Sequence, residues 1–261
     1  MPVETRGLPS EEELDRRAQA EVLDEARDVV AELELRLQQA RTGGLDPATA
    51  AKALLQHAVN LRLKARSVNV PGLGPLTHRL EDYLVGLRDP GPDNIVDLQT
   101  FADRIAAVLD GEAVAPEAVA EVVRQLPRKA TFDVSEVTVA HIEVTLVMAQ
   151  RTAARVVERE LAACGYAVST VLDPFEALEL IVQTRPDLVI TGMVMPRLSG
   201  VDLACAVAAM PVTKAIPVAV LTSLTPDHPD LAALPMNAGL IRRGPQFGDD
   251  LAHVLNRFGI T

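Results

Sequence analysis

Side chains able to attack, relay protons or bind metal are few and scattered in this 261-residue sequence. His141, His228 and His253 stand far apart without metal-ligand spacing, and no zinc site is visible. Cys164 and Cys205 sit on separate apolar helical stretches with no C-x-x-C or histidine partner, which reads as two buried, reduced thiols. There is no glycine-rich phosphate loop, no Ser/His/Asp set and no paired carboxylate. The remaining nucleophile candidates are His57, Thr191 and Thr222, each without a visible base or metal. The residues therefore lead to an expectation of a protein that is no enzyme and takes neither a metal nor a cofactor.

Composition narrows the partners. With 25 Lys+Arg against 36 Asp+Glu the formal charge is −11, which repels phosphate backbones, and neither side of residue 140 is basic. Nucleic acid is excluded as an expected direct partner. The start Met-Pro-Val-Glu-Thr-Arg lacks the apolar core of a signal peptide. No run approaches the roughly 18 apolar residues of a membrane span, so a cytoplasmic protein without membrane insertion is expected. The length fits two modest domains, and 48% hydrophobic residues supply two cores.

Two hydrophobic periods divide the chain. Ser10 and Glu13 form a capping-box signature, after which Leu14, Ala18, Val22, Ala26, Val30, Leu33 and Leu37 recur at helical spacing up to Gly43-Gly44. Asp46 and Pro47 open a second helix carrying Leu54, Ala58, Leu61 and Ala65. A third is expected over about 76–88. After the turn cluster 89–93 a fourth carries Leu98, Phe101, Ile105 and Leu109, and a short fifth spans about 116–126. Four such helices with short connections predict an all-α up-down bundle over 1–126. Residues 127–140 are polar, lack a helical stripe and read as a linker. Over 141–261 short apolar runs alternate with helical stretches: Val144–Met148, Ala167–Val171, Leu188–Thr191, Val218–Thr222 and Leu240–Ile241. This pattern predicts an α/β, doubly wound, five-stranded parallel sheet.

Within the second half, Pro186-Asp-Leu-Val-Ile-Thr-Gly-Met-Val-Met-Pro-Arg-Leu-Ser-Gly200 resembles the third strand and following loop of response-regulator receiver domains. Gly165-Tyr-Ala-Val, Asp173 to Leu178 and Ile216-Pro-Val-Ala-Val-Leu-Thr-Ser extend the likeness over nearly the whole half. The resemblance implies a flavodoxin-like fold. It also implies chemistry at an aspartate ending the third strand and at two acidic residues ending the first, which together hold Mg²⁺ and accept a phosphoryl group. Here the nucleophile position is Gly192 and the acidic pair aligns with Met148 and Ala149. Thr222 keeps the family's hydroxyl, and Arg243, with Arg242 as the alternative, stands at its lysine. The two residues either retain anion binding or serve only the strand end and solvent.

In the first half, the run from Ala65 to Leu84, with His78 and Glu81 in register, resembles histidine phosphotransfer domains, most of all the first domain of chemotaxis-type kinases, over about 11–112. That alignment puts the phosphoacceptor position on Val59, the usual lysine on Arg62 and the usual glycine on Leu63. His57 lies two residues away, about 200° around the helix from Val59.

Together the resemblances imply a pseudo-receiver joined to a pseudo-phosphotransfer bundle: a non-catalytic signalling adaptor that binds partners independently of phosphorylation. The helix face of Val59, Arg62, Leu63 and Arg66 is the expected docking surface. A histidine kinase, chemotaxis-type signalling proteins or another response regulator are the expected partners. A linker of about fourteen residues gives an effective concentration near millimolar, enough for weak docking between the halves. The alternative is a working phosphorelay protein with an unorthodox acceptor such as His57.

Overall fold

A computed structural model of the chain describes residues 10–128, 142–244 and 246–260. The chain divides into two compact units, Met1–Pro116 and Glu117–Thr261. The first is helical, and the second carries a five-stranded sheet.

Helix α1 (Glu11–Arg41) starts where the Ser10 hydroxyl accepts the Glu13 N–H, and Glu11, Glu12 and Glu13 favour the positive end of its dipole. Its buried residues Ala26, Val30, Leu33 and Leu37 recur at four, three and four positions, the stripe of an amphipathic helix. In α2 (Pro47–Ala65) the Asp46 carboxylate accepts the Ala48 and Thr49 N–H groups. Those hydrogen bonds, led by Thr49, hold it below the ordinary aspartate range. Helix α3 (Leu73–Leu84) begins earlier than the expected residue 76. Pro75 is tolerated there because a first-turn N–H has no intrahelical acceptor to lose. It stops before Gly86, which takes a left-handed φ of 84°. Helix α4 is Pro92–Leu109. The pairs α1 with α2, α2 with α3, α3 with α4, and α4 with α1 pack together, closing the ring of an up-down bundle. Leu54, Leu76, Leu80, Leu98, Phe101 and Ile105 fill its centre with 0–1% exposure. Tyr83 hydrogen-bonds Asp97 and Asn94 at the edge of that core, and burial pushes its hydroxyl pKa up to about 12.

Helix α5 (Val119–Arg124) corrects the expected domain boundary. It was expected to close the bundle at residue 126, yet it packs against α7 (Pro174–Thr184) of the second unit. The Arg124 guanidinium donates to the Arg185 carbonyl and reaches Asp187 at 3.5 Å. Six residues of helix do not say which core their apolar face will join, so this choice is tertiary. Of the expected linker, 129–140 lies outside the described residues. Arg128 pairs with Glu143 at 2.8 Å.

The strands are β1 (Glu143–Val147), β2 (Ala167–Val171), β3 (Leu188–Gly192), β4 (Val218–Thr222) and β5 (Ala238–Arg242). They are all parallel in the order β2-β1-β3-β4-β5. Helices α6 (Arg151–Ala163) and α9 (Phe247–Phe258) pack on one face through Ala154, Val157, Leu161, Leu251, Val254 and Leu255. Helices α7 and α8 (Gly200–Ala209) cover the other through Ala177, Leu180, Ile181, Leu203, Ala204 and Val207. The sheet is thus doubly wound, with β1, β3 and β4 buried along their whole length. β5 is longer than the two residues expected, because Gly239 reads as a break in sequence but is needed for packing. A Cβ there would lie 2.8 Å from Val254.

The thiols differ from expectation. Cys164 is exposed and Cys205 half-buried, its Sγ donating to the Ala233 carbonyl. The buried stripe of α6 ends at Leu161, and Cys164 is already its C-cap residue, past the turn that faces the sheet.

Candidate functional site

Parallel strands place their C-terminal ends at one edge, and the loops leaving β1, β3, β4 and β5 converge there. They enclose a cavity of about 320 Å³. Met148 and Ala149, following β1, and Gly192, ending β3, lie on its wall with Met193, Val194 and Leu221. Thr222 and Arg243 join them, so five of the residues singled out in this half, though not Thr191 or Arg242, lie on one cavity. Met148 is 3% exposed, and its backbone N–H donates to Val171. Met148, Ala149 and Gly192 offer no side-chain oxygen, so these three positions supply neither a carboxylate for a hard cation nor a nucleophile for phosphorus; the polar groups of the lining are Gln150, Thr222, Ser223, Asp230 and Arg243. Among the described residues no group of three or more His, Cys, Asp or Glu could hold a metal ion.

The loop after β3 is held by backbone proximity. Gly200 donates its N–H to the Met193 carbonyl at 3.0 Å, and a Cβ on it would fall 2.4 Å from the Gly192 oxygen. Only glycine lets α8 start this close to the strand end, which explains its place four residues after Pro196. Ser199 and Asp202 cap α8 reciprocally. The contrast with Gly192 is informative, since a Cβ on that residue would meet only ordinary contacts at 3.8 Å. The strand end has room for a side chain and carries none.

Thr222, 4% exposed, accepts the Leu224 N–H at 3.0 Å, while its carbonyl accepts the Arg243 N–H. The two arginines separate cleanly. Arg242 is fixed by a two-pronged ion pair with Asp250 at 2.6 and 2.8 Å, and that pairing holds the Asp250 carboxyl below its ordinary range. Among the described residues the Arg243 guanidinium has no such partner and lines the cavity. Thr191 is fully buried, its hydroxyl directed to Met195 Sδ and the Gly192 carbonyl, out of reach of any donor. Asp230, from the short turn Pro229–Leu231, also lines the cavity, and no sequence signal announces it. Its position depends on how a loop folds back over the strand ends.

On the bundle, Val59, Arg62, Leu63 and Arg66 follow one another at three, one and three residues along α2 and share a face. Leu63 is 61% exposed, whereas Leu54, on the core side of the same helix, is wholly buried. Arg62 donates to Glu81 of α3 at 2.6 Å with both side chains largely covered, and Lys64 pairs with Glu25 of α1. His57 turns the other way, its Nδ1 lying 3.5 Å from Glu32 of α1. Burial lowers its pKa from the ordinary histidine value, outweighing the opposing pull of Glu32, and Arg36 adds to the lowering. His78 is 3% exposed with Nε2 3.3 Å from Asp82.

No curated protein matches the chain. Among solved structures it is similar to the receiver domain of a sensor histidine kinase from Pseudomonas aeruginosa PAO1, at 21% identity over 46% of this chain and 99% of that one, TM-score 0.41. It is also similar to the receiver domain of a signal transduction histidine kinase from Syntrophus aciditrophicus, at 28% identity over 44% and 88%, TM-score 0.40. A chemotaxis protein of Vibrio cholerae gives 26% identity over 46% and 99%, TM-score 0.40. Residues 144–240, from β1 into β5 and so across the whole wall of the cavity except Arg243, match the family model of the response regulator receiver domain.

Proposed function

We propose that the protein is a non-catalytic adaptor of two-component signalling, working through protein–protein binding that needs no phosphorylation. The receiver match over 144–240 supports the signalling context. The observation that carries the reading is the cavity wall: Met148, Ala149 and Gly192 surround the place where a receiver's carboxylates would stand, and none of them can act as nucleophile or metal ligand.

The helical unit supplies the docking surface in this reading. Its phosphotransfer resemblance puts Val59 at the acceptor position and Leu63 at the glycine position, and Leu63 is exposed rather than core. The exposed Leu63 on this face suits a partner that offers an apolar contact, such as a histidine kinase, a chemotaxis-type signalling protein or another response regulator. His57 makes a poor substitute acceptor, since its ring is turned into the seam with α1 beside Glu32.

The full chain incubated with Mg²⁺ and acetyl phosphate should show no phosphoryl adduct by intact mass, and Mg²⁺ should leave its Tm unchanged. Stoichiometric phosphorylation would overturn the reading. Radiolabel transfer from a chemotaxis-type kinase that disappears in His57→Ala would replace it with a phosphorelay.

A further inference from the structure

We propose that the protein associates with a second copy of itself, the projecting start of α1 in one copy lying antiparallel along the outer face of α6 in the other, with Asp15 set against Arg155, Glu11 against Arg159 and Leu14 against Val156. This goes beyond the reading above and uses neither the α2 strip nor the cavity.

Helix α1 outruns its bundle. Lys64, in the last turn of α2, pairs with Glu25, and Arg27 donates to the carbonyl of Leu109, the last residue of α4, so the bundle meets α1 only from there on. Residues 11–21, about 16 Å of helix, lie beyond, and all of them but Glu13 are exposed. Leu14, Ala18, Val22, Ala26 and Val30 follow at four-residue steps; the last two are buried in the bundle, whereas Leu14 is 52% exposed. The row that seals the bundle therefore runs on past it uncovered, in a stretch too short to be a stable helix by itself in water. Glu11 and Asp15 flank Leu14 on one face, while Glu13 turns aside to pair with Arg17.

On α6 the buried row Ala154, Val157 and Leu161 faces the sheet, which turns Arg155, Val156 and Arg159 outwards. Both arginines are exposed, and Val156 is 48% exposed. Among the described residues neither arginine, nor Glu11 or Asp15, has an ion-pair partner on its own chain. Solvated guanidiniums need no partner for their own sake; the match with α1 is what singles out this face. Taken in opposite directions the two helices carry the same three-one-three steps, so one antiparallel register sets each carboxylate beside a guanidinium, the leucine on the valine, and Ala18 on the small Thr152. A parallel alignment of the same positions would put Leu14 on Arg155 and Asp15 on Val156, so the pattern also fixes the direction. In a chain of net charge −11, the row Arg151, Arg155 and Arg159 is a local excess of cations that draws an acidic helix, and the chain itself supplies one.

Sedimentation velocity of the full chain from about 10 µM to about 1 mM, a span that suits a contact this small, should show average mass rising with concentration. The rise should shrink as salt goes from about 0.1 M to about 1 M, where the screening length falls from about 10 Å to about 3 Å. Arg155→Glu with Arg159→Glu should weaken the association by more than about tenfold, and so should Glu11→Arg with Asp15→Arg, because each sets like charges face to face. Mixed one to one, the two double variants should associate again as the unchanged chain does, since the acidic α6 of one meets the basic α1 of the other. Leu14→Gln should weaken the unchanged pair by about tenfold without altering any charge. Circular dichroism should show every variant folded, the substituted side chains being exposed. A monomer across the whole range, association that survives either double variant, or a mixture no more associated than its components would overturn the proposal. A chain that stays monomeric but binds phosphatidylserine vesicles through the same arginines would give α6 to a lipid surface and overturn it as well.

Discussion

The α2 strip of Val59, Arg62, Leu63 and Arg66 lies on a single helix, whereas the cavity around Gly192 draws its wall from four strand ends and the loops behind them. The strip follows from the 3.6-residue period and needs no tertiary structure to be seen. It presents an exposed leucine, and its neighbouring cations Arg62 and Lys64 are already tied to Glu81 and Glu25. The cavity has the reverse character, being recessed and lined by apolar residues, Met148, Ala149, Met193, Val194 and Leu221, together with polar ones, Gln150, Thr222, Ser223, Asp230 and the exposed Arg243. A convex surface suits a broad partner, and a concave one suits a smaller group. On the proposed reading the two units therefore have different things to recognise.

The sharpest way to break this comparison is on α2 itself. Leu54→Ala should destabilise the bundle by about 2–5 kcal/mol through the cavity it leaves. Leu63→Asp should change stability by no more than about 0.5 kcal/mol, while weakening capture of a purified histidine kinase or response regulator. Chemical denaturation followed by circular dichroism separates them, and similar costs for both would make the strip part of the core. In the second unit, Gly200→Ala should cost about 1–3 kcal/mol, because its Cβ meets backbone that cannot move aside. Gly192→Ala, whose Cβ would meet only ordinary contacts at 3.8 Å, should cost under about 0.5 kcal/mol in the same measurement. If the order reversed, the cavity wall would not be as described.

The smallest expected effect concerns pH. The neutral form of His57 is favoured in the folded bundle, so the stability this contributes is present above the ordinary histidine value of 6.5 and is lost as pH falls below it through the lowered folded value. Glu32 and Arg36 are the charged groups acting on it. Between pH 7 and pH 5 the bundle should therefore lose Tm, and His57→Gln should flatten that dependence. An unchanged slope in the variant would place the titrating group elsewhere.

Much of the fold was legible without coordinates. Apolar residues at three- and four-residue intervals mark α1, α2 and α4, and runs such as Leu188-Val-Ile mark strands buried on both faces, because burial imposes its period on the chain. The strand-end placing of Met148, Ala149 and Gly192 was equally visible, since it follows from the pattern; that they stand at a receiver's acidic positions is what the resemblance implies. What sequence could not decide were matters of which surface meets which. The side of the boundary taken by α5 depends on a contact with α7 that six residues do not encode. Nor does the adjacent pair Arg242 and Arg243 show in sequence that Asp250, eight residues on and one helix away, claims the first and leaves the second to the cavity. Local spacing determines secondary structure because its forces act within a few residues. The pairing of Arg242 rather than Arg243 with Asp250 and the arrival of Asp230 at the rim were settled only by tertiary structure, through distances that close when strand ends and loops are brought to one edge.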